Sequence, residues 1–181
     1  GMSLQRLAIR VAAARALRGA TPAEGRVFDS MIDPIDQTIS EQRQPVLVIY
    51  TDEVDAQIEG RDLRDFLGQT NLVIELALAS RVEVDGEAQL SIPGTDEGIE
   101  LALDLMEHQA LTALTSEKTD WSRVWMRMVP RITRYQSKRG AATENGVRFA
   151  ARQITLTCDV VATPVDGGAI ADGTAWADLL A

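Results

Sequence analysis

At 181 residues with 45% hydrophobic side chains, the chain has the material for one globular domain and is too apolar for wholesale disorder. Its net charge of −9 argues against a general nucleic-acid binder, which needs a basic face to neutralise phosphate. No apolar stretch approaches the ~20 residues of a bilayer-spanning helix, and with aromatics at only 4% the core must be built from Val, Ile, Leu and Ala.

From the N-terminus, Ser3 is a candidate helix cap, and Leu4, Leu7, Val11, Ala14 and Leu17 follow at helical spacing before Gly19, a natural stop. Arg6, Arg10, Arg15 and Arg18 decorate this helix. They read either as a solvated polar face or as a cationic surface for an acidic neighbour. A short segment over 26–31 precedes the turn pair Asp33-Pro34. Pro45 then opens Val46-Leu47-Val48-Ile49-Tyr50, a β-branched run expected to form a buried strand. The following stretch, 51–65, is acidic: Asp52, Glu53, Asp55, Glu59, Asp62 and Asp65. Nothing in its spacing forces carboxylates to converge, so a solvated loop or strand edge is expected instead of a metal or glycosidase site.

Leu72, Ile74, Leu76 and Leu78 alternate with their neighbours as the inner face of a strand, which Val82 and Val84 would extend towards the turn pair Asp85-Gly86. A helix is expected from Thr95, with Ile99, Leu103, Met106, Ala110 and Leu114 on one face. His108, the single histidine, falls within it and reads as structural. Trp121, Val124, Trp125 and Met128 keep helical spacing up to Pro130 and read as core, with a contact surface as the alternative. Arg131, Arg134, Lys138 and Arg139 make a second basic segment, expected as a loop or hairpin arm. The last strand is read over 147–161, with a phase shift at Gln153 taken as a bulge. Cys158 inside it reads as a small buried hydrophobe. As the sole cysteine it permits no internal disulfide. The remainder, 164–181, is rich in Gly, Ala and Asp and reads as a tail, docking through Trp176 and Leu179-Leu180 on its own subunit or on a neighbour.

The chemical inventory is sparse. A glycine-rich phosphate loop, a nucleophile elbow and a Cys/His cluster are all missing from the sequence. The expectation is a non-enzymatic chain without catalytic, cofactor-binding or metal-ligating residues. The predicted fold class is α+β: one mixed, mainly antiparallel sheet with helices on one face, in a domain over 3–163 followed by the tail 164–181.

This order of elements resembles the tail-terminator and minor tail proteins of long-tailed bacteriophages and gene-transfer agents. The segments that carry the resemblance are Leu4-Gln5-Arg6-Leu7-Ala8-Ile9-Arg10, Val27-Phe28-Asp29-Ser30, Gln44-Pro45-Val46-Leu47-Val48-Ile49-Tyr50, and the stretches 71–80, 98–114 and 148–161. Trp121 to Trp125 and the tail depart from that family's compact form. The resemblance implies a virion protein, assembled in the host cytoplasm. Such subunits form a hexameric ring that caps the tail tube and meets the head connector. It implies no cofactor, no membrane and no sequence-specific nucleic-acid partner. Within such a ring, Arg6, Arg10, Arg131 and Arg134 are expected at subunit boundaries opposite acids such as Asp52, Glu53 and Asp55. Another head–tail connector or tail-tube subunit, or a small-molecule-binding α+β domain, are the alternatives.

Overall fold

A computed structural model describes residues 2–29, 44–56, 68–80, 96–144, 147–160, 165–166 and 169–170. In chain order they form α1 (Met2–Leu17), β1 (Val27–Asp29), β2 (Val46–Ala56), β3 (Gly68–Ser80), α2 (Asp96–Thr115), α3 (Asp120–Met128), β4 (Arg131–Glu144) and β5 (Val147–Val160). A small hairpin, β6 (Val165–Asp166) with β7 (Ala169–Ile170), follows.

Strands β1 to β5 make one sheet in the order β1-β2-β3-β5-β4. β1 pairs parallel with β2, and every other pairing in this sheet is antiparallel. The fold is therefore α+β with one mixed sheet, as its element order predicts. Alternation along the strands sends Leu47 and Ile49 of β2, Leu72, Ile74, Leu76 and Leu78 of β3, and Ile154, Leu156 and Cys158 of β5 to one face. The three helices cover that face. α2 adds Ile99, Leu103, Met106, Ala110 and Leu114, and α3 adds Val124, Trp125 and Met128. Trp125 is fully buried, so the aromatic insert is core.

Helix α1 buries Ala14 and Leu17 of its expected stripe but only half-buries Val11 and leaves Leu7 out. Its buried residues are Gln5, Ala8, Ile9, Ala12, Ala13, Ala14, Ala16 and Leu17, whereas Leu7 is exposed. Small alanine methyls let the helix axis approach β1, β2 and α3 closely, so the tight contact selects Ala over the larger Leu. Gly19 ends the helix as expected: its φ is +76°, and its N–H donates to the Glu24 carbonyl at 2.8 Å.

The strands also differ from the sequence expectation in three places. β2 runs on past Tyr50 into the acidic stretch, as far as Ala56. β5 has no bulge at Gln153, which pairs in register with Glu75 and Lys138. The break in its hydrophobic alternation arises because Arg152 points into the helix-covered side while Gln153 takes the other. The real irregularities lie between Asp52 and Val54 in β2 and between Ile132 and Arg134 in β4. The expected extension of β3 through Val82 and Val84, and the tail other than its hairpin, lie outside the described residues.

Candidate assembly surface

The charged side chains around β4 sort into those neutralised inside the subunit and those left facing outwards. Among the described residues, Arg152 of β5 is the most buried cation, with 7% of its side chain exposed. Glu100, Asp104 and Glu107 lie at steps of four and three on α2, hence on one face of that helix. All three converge on the Arg152 guanidinium, at 3.0, 2.6 and 2.7 Å respectively. Burial disfavours the charge on Arg152, but hydrogen bonds to Asp104 and Glu107 outweigh it and raise its pKa above the usual value. Two residues of β4 join the same acids. Arg139 meets Glu100 at 2.7 Å, and the Tyr135 hydroxyl donates to Glu107. Burial, then this hydrogen bond, raises the Tyr135 pKa. Together these contacts clamp α2 onto the β4–β5 end of the sheet. The acids at 100, 104 and 107 share helical spacing in the sequence, but their convergence on Arg152 depends on long-range pairing that no local pattern reveals.

On the other face of the sheet lie Val46, Val48, Val73 and Ala77, all buried, beside a polar trio. The Tyr50 hydroxyl donates to Glu75 Oε1 at 2.8 Å and accepts from Gln153 Nε2 at 3.0 Å, while the same amide reaches Glu75 at 3.0 Å. Burial and the adjacent Glu75 carboxylate push the Tyr50 pKa up to about 12. Further along this face, Gln69 Nε2 donates to Asp159 Oδ1 at 2.8 Å, and Arg131 lies 3.4 Å from the same carboxylate.

Of the cations on β4, Arg131 and Arg139 are thus paired within the subunit. Arg134 and Lys138 are exposed and, among the described residues, have no carboxylate partner. Both lie on the face of the Tyr50 trio, opposite Thr157 and Gln153 of β5. β4 is the edge of the sheet, 14 residues long, and no described strand pairs with its outer side. Residues 131–135 and 137–140 are exposed.

The opposite edge is treated differently. β1 covers only Leu47, Val48 and Ile49 of β2. Where β1 ends, Arg6 of α1 donates from Nη2 to the Thr51 carbonyl at 3.0 Å and from Nε to the Thr51 hydroxyl at 3.2 Å. The register then shifts between Asp52 and Val54. A side chain on an edge carbonyl and a bulge both hinder a further strand from pairing there. Arg10 is also engaged within the subunit, in an ion pair with Asp29 of β1. Of the expected boundary acids, Asp52 is exposed, whereas the side chains of Glu53 and Asp55 lie outside the described residues.

Among the described residues, no group of three or more His, Cys, Asp or Glu is arranged to hold a metal ion. A cleft of about 480 Å³ opens beside the C-terminal end of α1, lined by Ala16, Arg18, His108, Gln109, Thr112 and Lys118 with five other residues. His108 is exposed at its rim, and not buried in the core. Cys158 is buried, and burial pushes its thiol up to about 12, which keeps it un-ionised and unreactive. No described helix is long and apolar enough to cross a membrane.

No known protein family matches this chain, and no characterised protein is detectably similar to it in sequence.

Proposed function

We propose that the chain is a non-enzymatic structural subunit that assembles into a ring, in the manner of the phage tail terminators its element order resembles. The observation that carries the assembly reading is the contrast between the two edges of the sheet. The β2 edge is blunted by β1, Arg6 and a bulge, whereas the long β4 edge is exposed and carries two cations without described carboxylate partners. Two different edges suit a heterologous, head-to-tail contact, the kind that closes rings. In a chain of net charge −9, a basic strand offers a like molecule an oppositely charged place to dock.

The virion role rests on the resemblance. A ring of this kind would cap the tail tube and present a surface to the head connector. A connector or tail-tube subunit would use the same edge, and is distinguished by whether tails made without the protein still reach a defined length. Light scattering over a wide concentration range, with electron microscopy of the same samples, tests the ring. Closed particles of one size support it, and a monomer at every concentration and salt contradicts it.

A further inference from the structure

The cleft between the C-terminal ends of α1 and α2 is basic in an acidic chain. Arg18, His108 and Lys118 lie on its lining, Ala16 and Ala113 give it an apolar wall, and no described carboxylate joins them. Arg18 and Lys118 are exposed, and among the described residues neither side chain has an ion-pair or hydrogen-bond partner. Gln109, also on the lining, holds its Oε1 out of water without a hydrogen-bond partner. Rotation of that amide offers an unused acceptor to a donor entering the cleft. The cleft is also one end of a longer surface. Leu101, Leu105, His108 and Thr112 fall at steps of four, three and four on α2, on the side turned away from Leu103, Met106 and Ala110 of the core. Leu101 is 70% exposed and Leu105 53%. Two large apolar side chains thus lead to the cationic cleft over about 16 Å of helix.

We propose that this surface docks an acidic amphipathic helix of a partner protein, with its apolar side chains on Leu101 and Leu105 and its carboxylates over Arg18 and Lys118. A small anion would occupy the cleft but leave both leucines bare. Among the described residues no helix of a second copy fits either: α1 is basic, the acids of α2 at 100, 104 and 107 are held by Arg152, and α3 packs in the core. Exposed Glu97 and Asp104 flank the leucine end. An acid placed there would be repelled, so the partner's negative charge belongs at one end only, which fixes its direction. Apolar anchors at helical steps supply the contact area, as in other grooves that take a helix. The β4 edge plays no part, so this docking stands apart from the ring reading and is open to a single subunit or a ring alike.

The test is fluorescence anisotropy with the full chain and labelled synthetic helices of about four turns. Each probe carries leucines towards one end and glutamates towards the other, and the two probes run in opposite chain directions. One of them is expected to bind, and its counterpart with lysines in place of the glutamates is not. Arg18→Glu with Lys118→Glu should weaken binding by about tenfold or more, and so should Leu101→Ser with Leu105→Ser. All four positions are exposed, and circular dichroism establishes that each variant is folded. Failure of both acidic probes to bind, or binding that survives both pairs of substitutions, overturns the proposal. Displacement by inorganic phosphate together with undiminished binding to the Leu101→Ser/Leu105→Ser chain assigns the cleft to a small anion and also overturns it. So does a wild-type oligomer that dissociates on the leucine substitutions while neither probe binds, which assigns the surface to a second copy.

Discussion

Arg152 is the residue on which the helix-to-sheet contact turns. Removing it leaves Glu107, which is only 12% exposed, and Asp104 without the cation they share, and Glu100 with Arg139 alone. Arg152→Met should cost about 3 kcal/mol of unfolding free energy in urea denaturation at neutral pH, the scale of breaking a buried ion pair. A loss below about 0.5 kcal/mol would mean that the three acids are satisfied by water. Tyr50 gives a second residue-level test. Its pKa is raised to about 12 in the folded chain against 10.0 unfolded, so its contribution is intact below pH 10 and is lost as pH rises towards 12. Tyr50→Phe should remove that share of the alkaline destabilisation; identical pH profiles for parent and variant would contradict it. The single thiol should stay unlabelled by a thiol reagent until denaturant unfolds the chain, because Cys158 is buried and un-ionised.

At the scale of elements, the turn between α2 and α3 depends on one hydroxyl. Ser122 Oγ donates to the Leu114 carbonyl at 2.8 Å and accepts from the Glu117 N–H at 3.0 Å, while its own N–H is capped by Thr119 at 3.1 Å. Glu117 sits at φ +58°, a strained value for a residue with a side chain, and this bond helps hold it. Ser122→Ala should cost about 1–2 kcal/mol by loss of both bonds, readable as a fall in thermal midpoint. Helix α1 is limited by space: Ala12→Leu adds three carbons to a fully buried alanine and should cost about 1–3 kcal/mol. These details explain what was legible beforehand. The α2 stripe and the β3 alternation were read correctly because burial there follows a local period. On α1, Ala14 and Leu17 hold to the expected stripe while Leu7 lies off it, because Leu outranks Ala in hydrophobicity whereas close packing there prefers Ala. Gln153 looked like a bulge because Arg152, held by α2 acids about 50 positions away in sequence, breaks the apolar rhythm.

For the whole molecule, the balance of charge is the feature closest to function. Residue counts give −9, yet the fold gathers Arg131, Arg134, Lys138 and Arg139 on one edge strand and, among the described residues, pairs only Arg131 and Arg139 with acids. Arg131 and Arg134 were singled out from sequence as a basic segment, but that they lie on an edge strand follows only from the strand order. Arg6 and Arg10 were singled out by the same logic, and the fold engages both internally, at Thr51 and Asp29. Reversing Arg10 should therefore cost some stability of the α1–β1 contact, about 0.5–1 kcal/mol for a partly exposed pair, whatever it does to assembly. The central claim is that this chain closes on copies of itself through unlike surfaces. Sedimentation velocity of the wild-type chain, from dilute to concentrated samples and from low to high salt, tests it most directly. The account predicts one discrete closed oligomer, weakened by salt, with no ladder of larger species. A salt-insensitive monomer throughout, or an open series of polymers, would contradict it.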